Sequence, residues 1–135
     1  MKYQILEHTS DLKIQAYGKT KEELFLNMLF GMQESMKPEI KKPEEVIGRS
    51  IKTGSSDLDT LLVDFLSEVL YLIQVNKEIY KDIRFKKFTD TKIEGDLIGQ
   101  KVERFDEDIK AVTYHGLKVS QREDKNWEAT ILFDI

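Results

Sequence analysis

Cysteine is missing from this 135-residue chain, so disulfides and thiolate metal sites are excluded. Only two histidines occur, His8 and His115, so a zinc site would need carboxylates to complete it. No apolar run approaches the roughly 18 residues that span a bilayer, so no membrane partner is expected. No basic segment followed by an apolar run opens the chain, as a secretory signal would. With cysteine absent as well, the expected location is cytoplasmic. Walker loops, dinucleotide glycine fingerprints, HExxH pairs and nucleophile elbows are also lacking. A net charge of -4 with 34% charged residues gives a soluble surface without global attraction for nucleic acid. DNA binding is therefore not expected, and any RNA contact would be local or through a partner protein.

What is present fits one domain over 1–135, long enough to bury a real core. Residues 3–8 and 12–17 read as short strands. In the second, Leu12, Ile14 and Ala16 alternate with Lys13, Gln15 and Tyr17, a half-buried pattern. After Gly18, Thr20 and Glu23 form a capping box, and Leu24, Phe25, Met28, Leu29, Met32 and Met36 recur at helical spacing. The spacing predicts a helix over 20–37, with Met32 and Met36 as core filler. Residues 38–45 hold both prolines and many charges and read as a loop. A strand follows at 46–54. Ser55 or Ser56 caps a second helix over 57–76, whose stripe is Leu58, Leu61, Leu62, Phe65, Val69, Leu70 and Ile73. The remainder is strand-like at 78–88, 92–102, 117–123 and 126–135. Hairpins rather than βαβ repeats indicate an α+β fold, with two amphipathic helices packed on a mixed or antiparallel sheet.

Three features bear on chemistry. The first is Glu7, His8, Thr9, Ser10 and Asp11, set between two strands. A polar turn bonding to its own backbone explains it, and so does half of a site. The second is the chain end, where an alternating strand runs to Ile135 and sets the terminal carboxylate beside Asp134. Adjacent anionic groups repel unless a cation, proton or basic group lies between them. A simple strand end and a hard-cation site awaiting a third carboxylate both fit. The third is 77–88, where Lys77, Lys81, Arg84, Lys86 and Lys87 interleave with Tyr80, Phe85 and Phe88. RNA-binding surfaces mix these types, and so does a strand with one apolar and one solvated face. His115, just before Gly116, reads as a turn residue after a strand.

Four blocks, "EHTSDLKIQAYGKTKEEL" at 7–24, "LDTLLVDFLSEVLYL" at 58–72, "KAVTYHGLKV" at 110–119 and the terminal "ILFDI", together resemble the archease family in order and in chain end. Ser10 stands where alanine is commoner, and 101–108 matches no family pattern. The resemblance implies nested strand–helix–strand–strand units. It also implies a non-catalytic accessory protein of tRNA splicing, partner of the RtcB-type tRNA-splicing ligase. Such proteins promote guanylylation of the ligase's active-site histidine, permit multiple turnover and broaden its nucleotide use. tRNA would be met only indirectly. An older reading makes them RNA-binding or chaperone-like modulators of tRNA methylation. The resemblance places a divalent ion, Ca²⁺ first with Mg²⁺ or Mn²⁺ as alternatives, on Asp11, Asp134 and Ile135. Glu7, His8, Lys110 and His115 are left as supporting or partner-contact residues.

Overall fold

The computed structural model describes residues 1–7 and 11–135, with Glu7 described by its backbone. Among these, the elements run β1 (Tyr3–Glu7), β2 (Asp11–Gly18), α1 (Lys21–Ser35), β3 (Pro38–Ile40), β4 (Val46–Gly54), α2 (Leu58–Asn76), β5 (Glu78–Phe88), β6 (Lys92–Phe105), β7 (Ala111–Val112), β8 (Lys118–Gln121) and β9 (Trp127–Asp134).

Two antiparallel sheets form. The first joins the two ends of the chain: β1 pairs β2, β2 pairs β9, and β9 carries β7 and β8 on its other edge. The second uses the middle of the chain and is built around β6, which pairs β3, β4 and β5. The nesting is therefore explicit, because the unit β4–α2–β5–β6 lies inside the unit β2–α1–β8–β9.

Both helices form a middle layer. α1 packs on β1, β2 and β9 but also touches β5, and α2 meets β4, β5 and β6 as well as β7 and β8. Contact with two sheets explains why their buried residues extend beyond one stripe, as in the run Leu61, Leu62, Val63, Phe65, Leu66 of α2. One continuous core results, with Phe25 of α1 against Phe65 of α2 and edge-on to Phe88 of β5 at 5.1 Å between ring centres. Removing such a ring by Phe→Ala costs about 3–5 kcal/mol. Met32 and Met36 fill this core at 0% and 1% exposure, as expected.

Capping follows the sequence at one helix and departs from it at the other. Thr20 accepts from Glu23 N at 3.1 Å, and the Glu23 carboxylate reaches back to Lys19 N at 3.2 Å. At α2 the cap is Asp57, accepting from Thr60 N at 2.8 Å, rather than Ser55 or Ser56. Ser55 is instead engaged by Asp64 at 2.5 Å.

The expected loop at 38–45 is corrected at its start: Pro38–Ile40 is a strand. The reason lies in β6, which continues past 102 to Phe105 and needs a partner for its extra residues. Pro38 pairs with Phe105 and Ile40 with Val102. Proline is tolerated as the first residue of such a short strand. The segment 101–108, which had no assignment, is thus the end of β6 followed by a turn.

The alternation in β5 shifts at two bulges, between Tyr80 and Asp82 and between Phe85 and Lys87. At the first bulge the chain lies so close to β6 that a Cβ on Gly99 would sit 1.9 Å from the Ile79 carbonyl oxygen, so only glycine fits. Gln33 of α1 serves the same bulge, accepting from Tyr80 N at 2.7 Å and donating to Tyr80 O at 2.8 Å.

Candidate metal centre

The registers of the first sheet bring the chain end to the start of β2. Asp11, the first residue of β2, lies directly opposite Asp134, the last of β9, and Ala111 of β7 flanks Asp134 on the other side. Leu12 and Phe133 face the core, so period-2 alternation sends Asp11 and Asp134 to the opposite face. Like charges directly opposite on neighbouring strands repel, which makes this pair a locus for positive charge. The last carbonyl of β9 is fixed as well, because Lys110 N donates to Asp134 O at 2.7 Å.

Beside this pair is an open pocket of ≈ 370 Å³ lined by Asp11, Lys13, His115, Gly116, Thr130 and Leu132. β2 and β9 contribute its floor. His115 and Gly116 come from an excursion, because β7 and β8 are one edge strand of β9 interrupted at 113–117. Gly116 turns the chain there with φ +66°.

Of the residues singled out from sequence, Asp11 and Asp134 are brought together, and Ile135 follows directly. Ile135 also lines a groove with Ile5, Leu12 and Ile109, edged by Ser35, Lys37, Glu107 and Asp108. His115 joins Asp11 at the pocket. Lys110 supports Asp134 through its backbone, while its side chain borders a separate groove with Tyr71 and Gln74 of α2. Glu7 pairs with Leu12 through its strand, and His8 lies outside the described residues. Lys13 and Thr130 were not singled out, although they share the face of Asp11 and Asp134 by simple alternation.

Among the described residues, no three His, Asp or Glu side chains converge as a ready-made metal cage. The two aspartates alone would leave a cation short of ligands, and Ile135 next to Asp134 carries further oxygens. Such a set is all oxygen and anionic, which suits a hard divalent ion.

The basic strand resolves differently. Tyr80 is buried, and Phe85 and Phe88 pack against the core, so these rings do not form a stacking platform for bases. Lys86 is paired with Asp96 at 3.2 Å, and Lys52 with Glu94 at 3.2 Å on the same outer face. Its inner face holds a charge cluster that sequence reading missed. Glu78 is fully buried, gripped by Arg49 at 2.9 and 2.8 Å, Lys101 at 2.9 Å and Tyr80 OH at 2.9 Å. Burial alone would raise its pKa, but the hydrogen bonds from Arg49, Lys101 and Tyr80 bring it down from 4.5 to about 2. Burial and the bond to Glu78 push the Tyr80 phenol up.

An α+β protein with two antiparallel sheets, two central helices and an acidic chain end registered against the start of β2 defines a recognisable class. The archease protein family model matches residues 3–135, and the chain belongs to that family. The archease of Methanosarcina barkeri is 37% identical over 141 residues, covering 98% of this chain and 95% of its own. That of Thermococcus kodakarensis is 30% identical, with 99% of each chain covered. In structure, protein 1598 of Methanobacterium thermoautotrophicum superposes with a TM-score of 0.75 at 27% identity, covering 98% of both chains. An archease of Thermotoga maritima, described as a possible chaperone, shares the fold with a TM-score of 0.70 at 21% identity over 96% of this chain and 94% of its own.

Proposed function

We propose that this chain is a non-catalytic, cytoplasmic activator of an RtcB-type tRNA-splicing ligase, acting through a divalent-cation site at Asp11, Asp134 and Ile135. The observation that carries this reading is the register that sets Asp11 against Asp134 beside the terminal carboxylate. Membership of the archease family supports this choice of partner. The role is to promote guanylylation of the ligase's active-site histidine, sustain multiple turnover and widen the nucleotides accepted. tRNA is met through the ligase.

The donor chemistry fits a hard ion, with Ca²⁺ first and Mg²⁺ or Mn²⁺ as alternatives. When bound, the ion supplies charge neutralisation and orientation for phosphate oxygens. The chain's own residues do the rest. Asp11 and Asp134 stand fixed on paired strands, so little reorganisation is needed when a cation arrives. Lys13 and Thr130 offer donors on the same face, and Lys110 holds the last strand carbonyl in place.

The test appends a short Gly-Ser tail after Ile135, which removes the terminal carboxylate at that position and leaves β9 intact. Multiple-turnover ligation and calcium binding by calorimetry should both fall at least tenfold, with the unfolding midpoint of the metal-free protein unchanged. Full activation and affinity in the folded, tailed protein would overturn the assignment.

A further inference from the structure

The excursion that carries His115 packs on the core through Leu117 at its end, but its tip is held by something else. Tyr114 within it is 57% exposed, and its neighbours His115 and Gly116 are exposed too. A Cβ placed on Gly116 would meet nothing within 4 Å, so the turn stands clear of the body of the protein. Its start is bonded to β9, Thr113 N donating to Leu132 O at 3.0 Å, and the tip closes locally, with Leu117 N donating to Tyr114 O at 3.3 Å. The tether comes from α2. The Tyr114 hydroxyl donates to Asp64 Oδ1, and the other oxygen of the same carboxylate accepts from Ser55 Oγ at 2.5 Å. Asp64 lies between Val63 and Phe65, both at 0% exposure, so its carboxylate is mounted on a helix anchored in the core on both sides of it. A second aspartate of α2, Asp59, accepts from Val119 N at 2.8 Å where β8 resumes.

We infer that Asp64 and Tyr114 are positioning residues of the acidic site, holding the 113–117 excursion so that His115 stands over the pocket of Asp11 and Lys13. The inference rests on the cation-site reading above. A single hydroxyl–carboxylate contact fixes the backbone on the N-terminal side of His115, and Asp59 fixes it beyond Leu117. Between these two tethers the imidazole is confined to the mouth of the pocket instead of sweeping through solvent. Asp64 acts without touching the cation or anything bound there.

The test is nuclear magnetic resonance of the full chain with substoichiometric Mn²⁺ as the probe. In the wild type, the Thr130 methyl and the His115 ring signals should both broaden. In Tyr114→Phe, which deletes one exposed hydroxyl, and in Asp64→Asn, Thr130 should broaden as before while the effect on His115 drops at least threefold. Unchanged broadening of His115 in both variants would overturn the positioning role and leave the cation site standing. Absence of broadening at both Thr130 and His115 in the wild type would overturn the cation-site reading and this inference with it. A double-mutant cycle in the ligase assay adds a second readout. Tyr114→Phe should slow turnover several-fold in the wild-type background and have no further effect on His115→Ala. An equal loss in both backgrounds would show a merely structural bond.

Discussion

Glu78 opens β5 with its side chain at 0% exposure, while Asp134 closes β9 in the open, opposite another aspartate. Both are carboxylates on antiparallel strands, but their charge is handled in different ways. Around Glu78 the chain itself supplies a guanidinium, an ammonium and a phenol. At Asp134 the register supplies like charge, beside a pocket open to solvent. A carboxylate compensated from within serves the fold. A pair set side by side beside an open pocket is placed where solvent and solutes reach it.

The largest expected effect breaks the internally compensated side. Glu78→Gln leaves Arg49 and Lys101 gathered around a neutral group. Removing one member of a buried charge cluster costs about 3–5 kcal/mol, and the lower end applies here because both cations can reach water. Urea unfolding should show a loss of about 3 kcal/mol. The pH dependence gives an independent check. Glu78 has a folded-state pKa of about 2 against 4.5 when unperturbed. In that interval the unfolded chain binds a proton at residue 78 and the folded chain does not, so acid favours unfolding. The stability from Glu78 is fully present above 4.5 and is lost as pH falls through about 2. Glu78→Gln should flatten this acid arm, and an unchanged slope would show that the cluster is not what stabilises the fold.

The next effect sharpens the other side. Calcium at a hundredfold excess over its dissociation constant should stabilise the folded protein by about 2.7 kcal/mol, raising Tm by several degrees. Chelation should reverse it. Asp134→Asn and Asp11→Asn should each abolish most of the calcium-dependent shift. Glu78→Gln should keep that shift in full while starting from a lower Tm. If calcium rescued Glu78→Gln but did not move the wild type, the roles of the two regions would be exchanged.

This contrast also marks how much was legible in the sequence. Helices, alternation and the strand at the chain end follow from local periodicity, so α1, α2 and β9 fall within a residue or two of expectation. The archease resemblance joined Asp11 to Asp134 across the whole chain, which no local pattern does. Glu78 gives no local sign of its role in the basic strand, because its partners Arg49 and Lys101 are each more than twenty residues away in sequence. The strand at Pro38–Ile40 was hidden for a similar reason: its existence depends on how far β6 extends. Asp64 sat in plain view on the polar side of a helix, and only the fold shows that it meets Ser55 and Tyr114. Periodicity reports which face a residue takes; it does not report which distant strand meets that face.

The smallest effect tests whether the outer face of the second sheet has any part in this contrast. Lys86 and Lys87 are exposed, and Lys86 faces Asp96, whose pKa is lowered by its bonds from Lys86 and Ser50. An exposed pair of this kind contributes little to stability. Changing both lysines to alanine should therefore leave the unfolding midpoint nearly unmoved and ligase activation within twofold. The aromatic side chains of the same strand are turned inward, so little remains on this face to hold a base. Direct RNA binding there would give a steep fall of affinity with salt, and the double variant would make that slope shallower by about one for each phosphate the two lysines neutralise. A steep slope that the two alanines abolish would give the second sheet an external role of its own. A flat response would confine the outward-facing chemistry to the end of the first sheet.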